Sequence, residues 1–143
     1  MTVSSPFYSE DHEAFRSVVR QFAKNEIIPN IQEWEQAGEV PRDLYRKAAS
    51  IGIFGDGFEE VYGGHGQRDA ILRMVIMQEL AMAGAGGVVA SMLSNYIALP
   101  TIQRAGSNEM KAKVLTPCLA GDAVSALAIT EPSGGSDVAR IKT

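Results

Sequence analysis

Residues 130–137, Thr-Glu-Pro-Ser-Gly-Gly-Ser-Asp, hold the groups best suited to chemistry in this sequence. Gly134 and Gly135 lack Cβ atoms, so backbone N–H groups of the loop can converge on an anion, and Ser136 adds a hydroxyl. The apolar run Ala126-Leu127-Ala128-Ile129 just before it reads as a short buried strand, ended by Pro132, which has no amide donor. A strand feeding a glycine loop suits a phosphate cradle, although a Pro-Ser-Gly-Gly cluster is also what a plain turn between elements uses. The Lys-Ser/Thr ending of a P-loop and the Gly-x-Gly-x-x-Gly spacing of a dinucleotide fold are both absent, so neither motif applies.

Other reactive residues stand apart from one another. His12 and His65 have no second ligand at metal spacing and read as surface or loop histidines; no metal site is expected. Glu59-Glu60 reads as a solvated turn rather than a carboxylate dyad, and no Ser-His-Asp or Cys-His set is visible in the sequence. Cys118 is the only cysteine. It excludes an internal disulfide, fits a reducing compartment, and reads as a small buried hydrophobe. Met1-Thr-Val-Ser-Ser-Pro6 has neither a charged nor an apolar leader region, so a cytoplasmic location is expected.

The elements that must position the loop are helical. Phe15, Val18, Val19, Phe22, Ala23 and Ile27 recur at helical spacing, which predicts an amphipathic helix over residues 9–28, closed before Pro29. Ile31 and Trp34 suggest a short helix ending near Gly38, and Pro41 opens a third containing Leu44, Ala48 and Ile51. Residues 52–66 are too rich in glycine for a helix and read as a long connection. Asp69 caps a fourth helix that is apolar nearly all round and therefore central. Residues 88–105 read as another, kinked or ended by Pro100. Ser107 caps the last, over residues 108–119, and Gly121-Asp122 turns into the apolar run at residues 123–129.

Six helices and one strand cannot close a sheet, because a lone strand leaves both edges unpaired. The expected fold class is all-α: a helical bundle over residues 1–122, ending in the first strand of a truncated β-domain over residues 123–143. At 143 residues the chain suffices for one core. A net charge of −4 gives no basic footprint for nucleic acid. Residues 80–104 carry no charge before Arg104, yet Gly84, Gly86, Gly87, Ser91, Ser94, Asn95 and Pro100 interrupt them, so no membrane span is expected.

The order Ala128-Ile129-Thr130-Glu131-x-x-Gly134-Gly135-Ser136-Asp137 resembles the flavin-binding signature of the acyl-CoA dehydrogenase family. Gly52-Ile53-Phe54-Gly55 with Glu59-Glu60-Val61-Tyr62-Gly63-Gly64-His65-Gly66 is similar to that family's turn between its third and fourth helices. Glu33-Trp34-Glu35-Gln36-Ala37-Gly38-Glu39-Val40-Pro41 resembles the corresponding segment of members acting on long acyl chains. Arg140 departs from the pattern, standing where the family usually has a small residue.

The resemblance implies an FAD-dependent oxidoreductase that removes a proton from Cα and a hydride from Cβ of an acyl-CoA thioester, with an electron-transfer flavoprotein as acceptor and a homo-oligomeric assembly. By the same carry-over, Leu127, Ala128, Ile129 and Thr130 run beside the isoalloxazine, while Gly134, Gly135 and Ser136 approach the FAD diphosphate and, at Ser136, the substrate. Asp137 is expected to cap its own loop. Met92, Leu93, Tyr96 and Leu99 are candidate walls for the acyl tail, although an ordinary core position at helical spacing is the simpler reading of any one of them. The family's catalytic base is a glutamate of a C-terminal helical domain, so no residue here is assigned that role. The same scaffold serves flavin monooxygenases and acyl-CoA oxidases, and a helical oligomerisation module without flavin is the alternative outside enzymes.

Overall fold

A computed structural model describes residues 6–143; the start of the chain, read above for a leader, lies outside the described residues. Among the described residues seven α-helices follow in order: α1 (Glu10–Phe22), α2 (Ile31–Ala37), α3 (Arg42–Ser50), α4 (Ala70–Ala81), α5 (Gly86–Met92), α6 (Asn95–Ala105) and α7 (Asn108–Leu119).

The start of α1 and the start of α4 are fixed together. Ser9 Oγ accepts the His12 N–H while His12 Nδ1 accepts the Ser9 N–H, a reciprocal cap in which histidine takes the place usually held by glutamate. The other ring nitrogen, Nε2, lies 2.8 Å from Asp69 Oδ2. One neutral tautomer, with the proton on Nε2, satisfies both contacts. Asp69 Oδ1 meanwhile accepts the Ile71 and Leu72 N–H groups and caps α4 as its sequence predicts. His12 is thus a linker between helices, not the surface histidine its isolation in sequence suggests.

Beyond α1 the backbone widens into a π-turn (Ala23–Ile27) and tightens into a 3-10 turn (Ile28–Asn30) that absorbs Pro29. Along its length α1 packs on α4, burying Val19 and Phe22 in one core with Ile76 and Leu80. Each such fully buried side chain contributes about 1.5–3 kcal/mol. Charge seals the edge of that packing: Glu79, almost wholly buried, accepts hydrogen bonds from Arg16 and Arg20.

Residues 52–66 form more than a connection. His65 N–H donates to the Gly55 carbonyl and Gly66 N–H to the Phe58 carbonyl, both at 2.8 Å, folding the loop on itself. Ile53, Phe54 and Phe58 then enter the core. The same loop buries Asp56, which accepts the Asp69 N–H at 2.6 Å and pairs with Arg73 at 2.5 Å.

α4 and α5 are separated around Gly84 (φ +75°), the break expected from the glycine cluster. The next interruption is not at Pro100. It falls at Leu93 and Ser94, and Pro100 sits within α6. After α7, Gly121 turns at φ +79°, and a Cβ there would stand 2.4 Å from the Tyr45 carbonyl oxygen, so only glycine lets α7 end against α3. Arg46 Nε reaches Asp122 at 2.7 Å and closes the same corner.

No β-strand is present among the described residues. The buried strand expected over residues 126–129 is irregular, exposed chain, and an isolated antiparallel bridge joins Glu131 to Gly134. A strand is defined by its ladder, and these residues have no second segment to pair with. The described chain is therefore a helical bundle with an unladdered tail.

Candidate functional site

The tail leaves α7 by stages. Asp122 and Ala123 N–H groups both donate to the Pro117 carbonyl, and Ala123 and Val124 pack against the core. Ser125 is held next: its N–H and hydroxyl both donate to Asn95 Oδ1, at 2.9 and 2.8 Å. Residues 126–130 are then exposed, with Leu127 and Ile129 at 54% and 43% accessibility. The run thus presents two large apolar side chains and backbone groups open to solvent.

At Thr130 the chain turns back. The Glu131 and Gly134 backbones exchange hydrogen bonds of 3.0 and 3.1 Å. Gly135 approaches Thr130 so closely that a Cβ on it would stand 3.0 Å from Thr130 Oγ1. Thr130 and the second glycine are thus packed together. Gly134 faces open space. The N–H groups of Gly135 and Ser136 have no hydrogen-bond acceptor among the described residues. Two adjacent unpaired donors beside a glycine backbone are chemically fit for an anionic oxygen.

A cavity of about 100 Å³ lies beside this turn, lined by Glu131, Ser133, Gly134, Asp137, Arg140 and Ile141. Its size suits an ion or a few waters, so a larger ligand must lie along the surface rather than inside. Glu131 faces the tail itself: its carboxylate accepts the N–H groups of Lys142 and Thr143 and the Thr143 hydroxyl, and these bonds hold its carboxyl below the usual range, the hydroxyl contributing most. Asp137 does not cap its loop. It precedes a 3-10 turn (Val138–Arg140) without a side-chain cap and lies 3.8 Å from Arg140 Nε, an exposed pair. Arg140 is thereby accommodated on the outside of the turn.

The four candidate acyl-wall residues divide. Met92 and Leu99 are fully buried in the bundle core, while Leu93 and Tyr96 are half-buried against it. Tyr96 is fixed on three sides: its ring stacks with Phe58 at 6.3 Å, the Arg73 guanidinium lies 4.4 Å from the ring centroid, and its hydroxyl donates to the Ile53 carbonyl. Burial, and then the charge of Asp56, push its phenol well above the ordinary value. None of the four lines the groove of about 600 Å³ between α1 and α3, bounded by Val18, Phe22, Lys47 and Ile51 among others.

Sequence reading missed Asn95, Asp56 and Arg73. A signal existed for two of them: Asn95, a polar amide within an uncharged stretch, and Arg73, a lone cation within an apolar helix, both demand buried partners, and Asp56 is the partner that Arg73 finds. Among the described residues no group of three or more His, Cys, Asp or Glu could hold a metal ion. Nor is any helix among them long and apolar enough to cross a membrane.

The helical bundle is an architecture that this chain shares with proteins of known structure. Residues 9–122 match the model of the acyl-CoA dehydrogenase N-terminal domain, and the chain belongs to that family. It is 37% identical over 136 residues to the long-chain specific acyl-CoA dehydrogenase of mouse mitochondria, covering 95% of this chain and 31% of that protein. An acyl-CoA dehydrogenase structure from Geobacillus kaustophilus superposes with a TM-score of 0.85 at 34% identity, over 96% of this chain and 36% of that one. A glutaryl-CoA dehydrogenase from Mycobacterium smegmatis in complex with FADH2 gives 0.86 at 26% identity, over 99% and 36%. The chain spans about a third of the length of these relatives.

Proposed function

We propose that this chain supplies the N-terminal helical domain and one wall of the flavin site of an FAD-dependent acyl-CoA dehydrogenase. The observation that carries the reading is the exposed run over residues 126–129 leading into two adjacent unpaired amides at Gly135 and Ser136. Leu127, Ala128 and Ile129 offer an apolar edge to the flat face of a flavin ring, and Thr130 a hydroxyl at its polar margin. Gly135 and Ser136 offer free backbone donors to the diphosphate and, at Ser136, to the substrate, while Gly134, its own N–H held by Glu131, leaves room beside them for the anion. FAD, when bound, supplies the acceptor for a hydride from Cβ of the thioester.

The task of the helices is positional. Met92 and Leu99, in the core, set the spacing of α5 and α6, and Leu93 and Tyr96, at its margin, are the members of the four able to face an acyl tail. The base belongs to a glutamate outside this chain. A long-chain acyl-CoA is the favoured substrate, supported by the segment from Glu33 to Pro41 and by the similarity to the long-chain mouse protein. Electron-transfer flavoprotein as acceptor, homo-oligomeric assembly and a cytoplasmic location complete the reading.

The test is the protein expressed from its natural reading frame. It is expected to purify yellow, with an oxidised-flavin spectrum that bleaches on adding palmitoyl-CoA under nitrogen and recovers with electron-transfer flavoprotein. A colourless protein that FAD cannot reconstitute overturns the proposal and leaves a helical binding module. Recovery of colour by oxygen at catalytic rate reassigns it as an oxidase.

A further inference from the structure

We propose that Asn95 is a positioning residue for the flavin-contacting tail, an inference that rests on the function proposed above. Asn95 is 1% exposed and opens α6. Its Oδ1 accepts both the N–H and the hydroxyl of Ser125, at 2.9 and 2.8 Å, while its Nδ2 donates to the Cys118 carbonyl at 3.3 Å. One carboxamide therefore joins three parts of the chain: the start of α6, the last turn of α7 and the tail.

Its place along the tail gives this junction its consequence. Ser125 is the last residue before the glycine turn with a hydrogen bond to the helices; residues 126–130 have none among the described residues. The direction in which Leu127, Ala128, Ile129 and Thr130 leave the bundle is accordingly set at Ser125, and Ser125 is set by Asn95. Because α6 also carries Tyr96 and Leu99, the same side chain fixes the tail relative to the candidate acyl wall. Truncation to alanine removes both Ser125 bonds at once, whereas the Cys118 carbonyl keeps the Gly121 N–H as a second donor. The loss thus falls on the tail more than on α7. Small displacements of a site's supporting residues weaken binding steeply, which is why the effect should appear in flavin affinity.

The experiment uses the protein expressed from its natural reading frame, stripped of flavin and titrated with FAD. Asn95→Ala is expected to weaken FAD binding about tenfold and to shift the bound flavin's visible bands, and Ser125→Ala, which leaves the backbone bond, about threefold. The double variant is expected to bind no worse than Asn95→Ala, because both changes remove one junction. Val19→Ala, a core truncation in α1, controls for lost stability and should lower Tm while leaving affinity and spectrum unchanged. If Asn95→Ala matches Val19→Ala in affinity and spectrum, or if the double variant is additive, the role of Asn95 is overturned while the flavin assignment stands. If Asn95→Ala does not fold, Ser125→Ala decides alone, and an unchanged affinity refutes the inference. Failure of the unsubstituted protein to bind FAD overturns the function proposed above and this inference with it.

Discussion

Arg20 grips Glu79 through two hydrogen bonds, Nε to Oε2 at 2.8 Å and Nη2 to Oε1 at 2.9 Å, across the seam between α1 and α4. Arg16 adds a third at 3.1 Å. These bonds, Arg20 first, hold the Glu79 carboxyl below its usual range against the opposing effect of burial. A carboxyl lowered on folding stabilises the protein at pH above its unfolded value of about 4.3, and that contribution fades as pH falls through the lower folded value. Acid melting curves should therefore steepen below about pH 4.3, and Glu79→Gln should flatten them there while costing about 2 kcal/mol at neutral pH. Equal pH dependence in the two proteins contradicts this account.

Arg73 and Asp56 make the complementary case. Asp56 has no exposed side-chain surface, and removing its cation leaves a charge stranded in the core. Arg73→Met should cost about 3–5 kcal/mol in chemical denaturation. Adding Asp56→Asn should recover part of that loss, since the stranded charge goes with it. Additive losses count against the pair.

Gly121→Ala meets both a left-handed backbone and the Tyr45 carbonyl. A loss of about 3 kcal/mol is expected, with Tm falling accordingly. A change below about 0.5 kcal/mol, the range of ordinary surface substitutions, contradicts the close approach of α7 to α3.

Cys118 is buried, and burial pushes its thiol pKa up. In native buffer it should resist a disulfide reagent for hours and react in full once denaturant is added. Rapid native labelling would place it elsewhere.

Much of this architecture is legible in the amino acids. Asp69 and Ser107 cap the helices their positions suggest, Gly84 breaks the apolar stretch while Gly86 and Gly87 open α5, and Cys118 is buried. What escaped depends on partners remote in sequence. Pro100 looks like the stronger breaker, yet the interruption falls at Leu93 and Ser94, beside the buried Asn95 with its bonds to Ser125 and Cys118. His12 looks isolated because its acceptor lies 57 residues away. The run over residues 123–129 has the composition of a strand, but composition cannot supply a ladder.

The central claim, that residues 126–136 form a flavin-binding surface, is tested most directly by hydrogen–deuterium exchange on the protein expressed from its natural reading frame, with and without FAD. The Gly135 and Ser136 amides, unpaired here, are predicted to exchange rapidly without FAD and to slow at least tenfold when it is bound, along with residues 127–130. Unchanged exchange over residues 126–136 at saturating FAD, with protection appearing elsewhere or nowhere, would contradict the account.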